Sequence, residues 1–389
     1  MSTGRIVAAS HCLVFISIKL PALLLEPSPA FWLRAAIAVS LQLLALLALS
    51  IAAAGTKTST TQASITEYEQ RKGAREIVPD VQQVGFIAGV YTLILPLLSP
   101  AYHPIAEAGL RCACFFYACK LIDLVVLKAE KPPLLIQNKT KPSSTSFSKA
   151  EYIFRLLTET RYASFDIAIQ EPRRRNFQET TTLTHTILWT WLSRLLIPTA
   201  TYFYPILELQ LLLSLLLINF GLEGVHTLLH PFCPNELFFQ PFAASGIIDF
   251  WSVHWHQGAQ SWLISLGYRP AKRLAVEVFG LSKEVGTAVG VLGTFALSGI
   301  WHAWCVASLS DRKWETGVGL FLVFVAQGVG CLLERVVWAK GGGGWVRRVV
   351  CWTFAVEAGA MFFRYAKPYV REDVRWMIHP IESLGWARG

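Results

Sequence analysis

The feature that most constrains this chain is a series of long apolar stretches with very few charged residues. A helix that crosses a lipid bilayer needs about 20 consecutive, mostly apolar residues. Hydrophobic residues make up 53% of the sequence and charged residues only 16%, well below the roughly 25% of soluble domains. The sequence therefore predicts an all-α, polytopic transmembrane protein with about seven to nine spans, in one membrane-embedded domain over residues 1–389. The candidate spans are 6–25, 33–54, 81–100, 106–127, 183–199, 205–225, 285–308, 315–338 and 345–365.

The formal net charge of +9 arises mainly from basic residues in the loops between these stretches. They lack the aromatic interleaving of a nucleic-acid groove, so a lipid bilayer or an anionic cosubstrate is the favoured partner and nucleic acid is excluded. Two polar loops are predicted, 56–80 and 129–182. The second of these and loop 268–284 are rich in Lys and Arg, so both are expected to face the cytosol. The first apolar stretch resembles a signal anchor, which indicates an integral, multi-pass protein of the endoplasmic reticulum.

The stretch between candidate spans 205–225 and 285–308 has a different character. It is rich in aromatic residues, and four helix-breaking residues interrupt it, Pro241, Gly246, Gly258 and Gly267. Irregular backbone at membrane depth is tolerated only where it is buried in protein or lines a cavity. We therefore expect an interfacial or re-entrant helical segment near 236–270, inside a motif-bearing core at about 200–310.

Five of the nine histidines cluster between residues 226 and 302, and His302 is the clearest candidate for a functional residue among them. It lies within an apolar stretch, where an ionisable side chain is energetically costly. Its presence there indicates a functional role. Ser298 and Gly299 precede it by four and three residues and so share its helix face. We expect the serine to orient the ring and the glycine to let a substrate or another helix come close.

In the block DFWSVHWHQ, helical geometry places His254 and His256 on opposite faces, because two residues turn a helix by about 200°. His256 would share a polar face with Ser252 and Asp249, whereas His254 would share its face with Phe250 and Trp251. His256 is therefore the predicted site residue. Asp249 is too far along such a helix to bond His256, and we expect it to orient another group.

Glu223, His226 and His230 lie on one helix face at metal-ligand spacing. Within an apolar helix such a set more often serves packing and hydrogen bonding, and further ligands are missing. The sequence therefore predicts no metal site and no bound cofactor.

Two blocks of this core, 46 positions apart in their histidines, resemble the wax synthase-like branch of the membrane-bound O-acyltransferase superfamily. That branch shows FW-x-x-x-WH, matched by Phe250, Trp251, Trp255 and His256, and F-x-x-SG-x-x-H, matched by Phe295, Ser298, Gly299 and His302. The short polytopic chain is most similar to fungal O-acetyltransferases of terpenoid and meroterpenoid secondary metabolites. Where the family usually carries basic residues around the first block, this chain has Ile248 and Ser252-Val253-His254.

The resemblance implies transfer of acetyl from acetyl-CoA, the cosubstrate, to a hydroxyl of a lipophilic alcohol acceptor. His302 is expected to act as general base and His256 to polarise the thioester carbonyl. Asp249, Trp251, Trp255 and His254 are supporting candidates, together with Ser298 and Gly299. Arg269, Lys272 and Arg273 would meet the CoA phosphates at the cytosolic mouth. Phe238, Phe239, Phe242 and Trp262 are candidates for the route of the acceptor.

Three other functions stay open at this point. The same resemblance fits a long-chain-alcohol wax ester synthase. The histidine pattern superficially resembles a membrane di-iron hydroxylase or desaturase, which needs about eight ligands and an HxxHH block that the sequence does not contain. A non-enzymatic transporter would use intramembrane histidines for proton coupling, but no inverted repeat is visible. The acceptor, the acyl chain length and the oligomeric state are left undecided.

Overall fold

A computed structural model describes residues 29–57, 66–98, 103–135, 148–162, 164–167, 196–197, 199–201, 207–229, 237–238, 241–338 and 344–371. Candidate span 6–25 and most of 183–199 lie outside these ranges, as do His230 and Phe239. Within the described ranges the protein is helical. Its only extended pairings there are two isolated bridges, Leu135 with Phe165 and Ser310 with Val370.

The chain divides into two compact units, an N-terminal unit of residues 26–169 and a C-terminal unit of residues 170–389, with which 1–25 are grouped. The N-terminal unit contains four described helices: α1 (Pro29–Lys57), α2 (Thr66–Leu98), α3 (Pro104–Leu121) and α4 (Lys149–Thr158). A π-helical turn, Ile122–Val126, continues α3. Apolar side chains from all four helices form its core, including Leu46, Val81, Leu121, Leu124 and Leu156.

The C-terminal unit contains α5 (Leu207–Leu229), α6 (Lys283–Val306), α7 (Lys313–Val337) and α8 (Gly344–Ala366). The Ser282 hydroxyl accepts a hydrogen bond from the Val285 amide and so caps the start of α6. Single turns of 3-10 helix, Ala307–Leu309 and Lys367–Tyr369, follow α6 and α8. α6 and α7 pack antiparallel: Gly299 of α6 lies beside Phe321 of α7, and Phe295, earlier in α6, lies beside Gly328, later in α7. A Cβ at Gly299 would lie 3.1 Å from the Phe321 carbonyl oxygen, and one at Gly328 would lie 2.9 Å from the Phe295 ring.

Residues 241–278, named the hairpin segment here, form a chain of short helical turns instead of one helix. α-Helical, 3-10 and π-helical turns alternate along it, so its side chains follow no single periodicity. The turns are Pro241–Ala243, Ile247–Asp249, Phe250–His254, Gln257–Ala259, Gln260–Trp262, Leu263–Tyr268, Arg269–Arg273 and Leu274–Val278.

In the described part of the chain, four helical segments are long and apolar enough to cross a bilayer: Pro29–Ala53, Val78–Leu98, Lys283–Leu309 and Lys313–Val337. They carry large apolar side chains that face outward, such as Leu33 on α1 (63% exposed) and Val336 on α7 (75% exposed). Such surfaces fit contact with lipid. The predicted count of seven to nine spans is not confirmed. Where spans were predicted at 106–127, 205–225 and 345–365, the chain forms α3, α5 and α8.

Both predicted polar loops contain helix. Residues 66–80 of the first loop belong to α2, because Glu, Gln and Arg favour helix as well as apolar residues do. In the second loop, Ser148 accepts a hydrogen bond from the Glu151 amide and starts α4. Ser and Glu three residues apart are the sequence signature of such a start.

Candidate functional site

The hairpin segment enters and leaves at the same end of α6. Near its beginning, Ile248 contacts Glu334, which lies close to the end of the antiparallel helix α7. Near its other end, a Cβ at Gly286 on α6 would overlap with Val276. Its turn around His256 lies beside Trp301, 15 residues further along α6 and thus about 22 Å along the axis. The residues before this turn, 241–255, are named the entering limb, and those after it, 257–278, the returning limb. Both limbs therefore run along α6, and the turn places His256 deep in the unit.

His302 is held within α6 in one defined orientation. Its Nδ1 lies 2.7 Å from the main-chain oxygen of Ser298, and its ring stacks on Phe324 with centroids 4.1 Å apart. A carbonyl oxygen only accepts hydrogen bonds, so Nδ1 must carry the proton in this contact. In the neutral ring, Nε2 then keeps a lone pair. The ring is thus set up to accept a proton at Nε2.

His256 is placed by a break in the helix. Its backbone is left-handed, with φ 35° and ψ 61°, and the extended residue Trp255 separates it from the π-helical turn Phe250–His254. Its ring lies against Phe238, with centroids 5.6 Å apart, and against Trp301, with centroids 5.9 Å apart. Burial, and secondly the nearby His302 ring, lower the pKa of His256 from 6.5 to about 4. His256 is therefore neutral at physiological pH.

Trp301 brings the two histidines into one aromatic cluster. Its ring centroid is 5.0 Å from that of His302 and 5.9 Å from that of His256. Trp262 packs edge-on against Trp301, with ring centroids 5.3 Å apart. Both imidazoles thus lie against the same indole, although 46 positions separate them in the sequence.

Trp251 and Trp255 line the entering limb of the hairpin segment. Trp251 packs edge-on against Phe295, with centroids 5.5 Å apart, and its Nε1 points to Gln327 Oε1 at 3.5 Å. Trp255 stacks on Phe250 with centroids 5.2 Å apart. Trp251 thus joins the limb to α6 and α7, whereas Trp255 packs against Phe250 and Phe238.

The predicted helix faces of the first block are wrong. The helix ends before His256, and the π-helical turn carries residues five apart to the same side. His254, not His256, is consequently the partner of Asp249: His254 Nε2 lies 3.3 Å from Asp249 Oδ2. Asp249 also accepts hydrogen bonds from the Ser245 amide at 2.8 Å and the Ser245 hydroxyl at 2.9 Å. Burial opposes its charge, but the hydrogen bonds from His254 and Ser245 hold the pKa of Asp249 well below its usual range.

Ser298 and Gly299 act partly as predicted. The atom of Ser298 that contacts the His302 ring is the main-chain oxygen, which any residue at this position offers, and not the hydroxyl. Gly299 admits another helix, because a Cβ there would meet Phe321 of α7 at 3.0 Å.

Arg269, Lys272 and Arg273 lie on the returning limb, away from the histidines. Both arginines are exposed, and the Lys272 ammonium lies 5.6 Å from the centre of the Tyr268 ring. This limb packs beside residues 286–293 of α6. A Cβ at Gly286 would overlap with Val276, and a Cβ at Gly293 would overlap with Ala271. The three basic residues are thus about 14 to 24 Å from His302 along the helix axis.

Two of the four residues proposed for the acceptor route lie at the aromatic cluster. Phe238 contacts His256 and Trp262 contacts Trp301. Phe242 stacks on Trp352 instead, with centroids 6.1 Å apart. Phe239 lies outside the described residues.

Glu223 binds backbone amides in the described part of the structure. Its Oε2 accepts hydrogen bonds from Leu237 at 2.9 Å and Phe238 at 3.1 Å. Among the described residues, which do not include His230, no three His, Cys, Asp or Glu side chains lie close enough together to hold a metal ion. Glu223 thus holds Phe238, which in turn contacts His256.

Sequence reasoning missed Trp301, Gln327 and Glu334. Glu334 had a visible signal, since it is an acidic residue in the apolar stretch 315–338, where charge is costly. Gln327 had a weaker one of the same kind. Nothing in the sequence distinguished Trp301 from the other tryptophans.

Comparison with known proteins places a family match on this region. Residues 233–325 match the model of the membrane bound O-acyl transferase family. The probable long-chain-alcohol O-fatty-acyltransferase 7 of Arabidopsis thaliana is 32% identical over 172 residues, which are 42% of this chain and 46% of the relative. The chain therefore spans about half the length of this curated relative. No solved structure gives a significant match. The family match includes the hairpin segment, His256, Trp301 and His302.

Proposed function

We propose that this protein is a membrane-bound O-acyltransferase that transfers an acyl group from acyl-CoA to the hydroxyl of a lipophilic alcohol. The observation that carries the proposal is the contact of both His256 and His302 with Trp301, with Nε2 of His302 left to accept a proton. Both histidines lie within the residues that match the acyltransferase family. A thioester is already activated, so alignment and removal of one proton suffice for the reaction.

The proposed reaction uses the two rings in different roles. Nε2 of His302 takes the proton of the alcohol as its oxygen attacks the thioester carbonyl. The neutral His256 ring has one N–H, which donates a hydrogen bond to the oxyanion of the tetrahedral intermediate. The C–S bond then breaks, and the thiolate of CoA takes the proton from the His302 imidazolium. The products are an ester and CoA, and His302 returns to its neutral form.

The basic residues of the returning limb fit the other end of the donor. The phosphates of CoA are too polar to enter lipid, and Arg269 and Arg273 are exposed. Two predicted spans, 183–199 and 205–225, separate the basic loops 129–182 and 268–284. Both loops face the cytosol only if the hairpin segment is re-entrant and returns to its starting side, as its path along α6 permits. We propose that the donor enters from the cytosolic face of the endoplasmic reticulum.

For the substrates we favour acetyl-CoA and a terpenoid or meroterpenoid alcohol, on the resemblance of the two histidine blocks. A wax ester synthase acting on long-chain alcohols is the second candidate. It is favoured by the similarity to a relative whose name specifies a long-chain-alcohol O-fatty-acyltransferase.

The test is ester formation by membranes that contain the protein. Labelled acetyl-CoA or palmitoyl-CoA is supplied with a terpenoid alcohol or hexadecanol, and the product is measured by chromatography. Ester from acetyl-CoA and the terpenoid alcohol supports the acetyltransferase. Ester from palmitoyl-CoA and hexadecanol supports the wax synthase.

His302→Ala is expected to lower the rate about 100- to 10,000-fold, as loss of a general base does. The control is His103→Asn in the N-terminal unit. His103 caps α3 through the Ile105 amide, and Asn is an equally good capping residue, so this variant should keep full activity. Ester formation that persists in His302→Ala at wild-type protein levels would contradict the role of His302.

A further inference from the structure

Glu334 is a buried carboxylate near the end of the apolar helix α7. Its side chain is 2% exposed, and a charge in such a place is stable only when it is paired. Arg347 of α8 supplies the pair: its Nε donates to Oε1 at 2.8 Å, and its Nη2 donates to the same oxygen. The second oxygen, Oε2, is left for another partner.

That partner is the main chain of the hairpin segment. The Ile248 amide donates to Glu334 Oε2 at 2.9 Å, across 86 positions of sequence. Ile248 is the second residue of the helical turn that starts after Gly246. Amides at this position have no partner within a helix and usually bind the side chain of the capping residue. Gly246 has no side chain, so Glu334 provides the cap from α7.

Gly246 makes this approach possible. A Cβ at this position would overlap with Glu334 Oε1 and would lie 3.0 Å from Arg347 Nε. The carboxylate thus occupies the space that a side chain at residue 246 would need. The cap therefore depends both on glycine at position 246 and on glutamate at position 334.

Two main-chain hydrogen bonds connect this cap with the turn at His256. The Phe250 amide donates to the Gly246 oxygen at 2.9 Å, and the Trp255 amide donates to the Phe250 oxygen at 2.8 Å. Because these two bonds link consecutive turns, we expect a displacement of Ile248 along α7 to displace the turn at His256 as well. Two other bonds hold the chain before Gly246, from Arg348 to the Phe242 oxygen and from Trp352 to the Ala244 oxygen.

We propose that Glu334 is a positioning residue for the site: it caps the entering limb of the hairpin segment and so fixes His256 against Trp301. This inference rests on the proposed function for its effect on the rate, but not for its effect on the limb. Loss of the cap should displace His256 without unfolding the unit, since the bonds from Arg348 and Trp352 remain.

The experiment compares Glu334→Asp and Glu334→Gln with Glu277→Gln. Asp keeps the charge but is one methylene too short to reach both Arg347 and Ile248, and Gln keeps the length but not the charge. Glu277 is an exposed glutamate on the returning limb, so its variant should behave as wild type. Hydrogen exchange of the amides of residues 247–256 should become faster in both Glu334 variants. The kcat for ester formation should fall about 10- to 100-fold, with an unchanged KM for acyl-CoA.

A second comparison separates positioning from a general loss of structure. If Glu334 acts through His256, then Glu334→Gln should cause no further loss of kcat in a protein that already carries His256→Ala. An equal loss in both backgrounds would overturn the proposal. So would unchanged amide exchange in the Glu334 variants, whatever the activity. Absence of ester from the wild type would remove the proposed function, and amide exchange would still decide whether Glu334 holds the limb.

Discussion

At the scale of single residues, the two histidines are oriented by different physical means. His302 needs only its helix, because the oxygen four residues earlier fixes its Nδ1. His256 needs a left-handed backbone, which disfavours most side chains by about 1 to 2 kcal/mol. Histidine is one of the residues that adopts this conformation more often than most. Contacts with Phe238 and Trp301 hold it there.

The lowered pKa of His256 predicts how stability depends on pH. Between pH 6.5 and about 4 the unfolded chain binds a proton on this ring that the folded protein rejects. The contribution of His256 to the free energy of unfolding is therefore fully present above pH 6.5 and is lost as the pH falls towards 4. The thermal midpoint in detergent should drop more between pH 7.5 and pH 5 in the wild type than in His256→Gln. Equal drops would show that His256 does not titrate in this way.

At the scale of elements, the returning limb depends on close contact with α6. Gly293 lies at one of the close approaches: a Cβ there would be 2.9 Å from the Gly267 oxygen and 2.5 Å from the Ala271 Cβ. Small residues at such positions let helices approach without a side chain between them. The position of the limb, and with it that of the basic residues, therefore depends on the lack of a side chain at Gly293.

Gly293→Ala is expected to destabilise the C-terminal unit by about 1 to 3 kcal/mol, because the backbone and the Ala271 methyl cannot yield cheaply. The matched control is Gly317→Ala on α7, where a Cβ would lie 3.6 Å from the Ala303 Cβ, an ordinary contact. That variant should keep or raise the thermal midpoint, since alanine favours helix. The midpoints in detergent check both. A Gly293→Ala protein as stable as Gly317→Ala would contradict the packing described.

The elements that the sequence predicted well are those that depend on local apolar content. Stretches 33–54, 285–308 and 315–338 each overlap a helical segment long and apolar enough to cross a bilayer, Pro29–Ala53, Lys283–Leu309 and Lys313–Val337. The hairpin segment was expected near 236–270, but not its chain of α, 3-10 and π turns. These turns depend on partners that are distant in sequence, such as Glu334 for Ile248 and Trp301 for His256. Helical periodicity alone therefore placed His256, and not His254, on the helix face of Asp249.

At the scale of the whole molecule, the two motif blocks come together because the hairpin segment folds back along α6. The sequence identified His256 and His302 as a pair by their costly placement and by the resemblance to acyltransferases. It did not show which aromatic ring contacts both, since the choice of Trp301 among 14 tryptophans depends on the fold. Arg269, Lys272 and Arg273 were expected at the cytosolic mouth, and their place on the returning limb, several helical turns from His302, leaves that expectation a prediction.

The most direct test of the account is a double-mutant cycle on ester formation with His256→Ala, His302→Ala and the double variant. If the two rings act as one unit, so that His256 contributes only when His302 takes the proton, the losses should not be additive, and the double variant should be no slower than His302→Ala alone. Rates are measured at saturating acyl-CoA in membranes with equal amounts of each protein. The account predicts equal residual rates for His302→Ala and the double variant. Independent, multiplicative losses, or wild-type activity in His302→Ala, would contradict it.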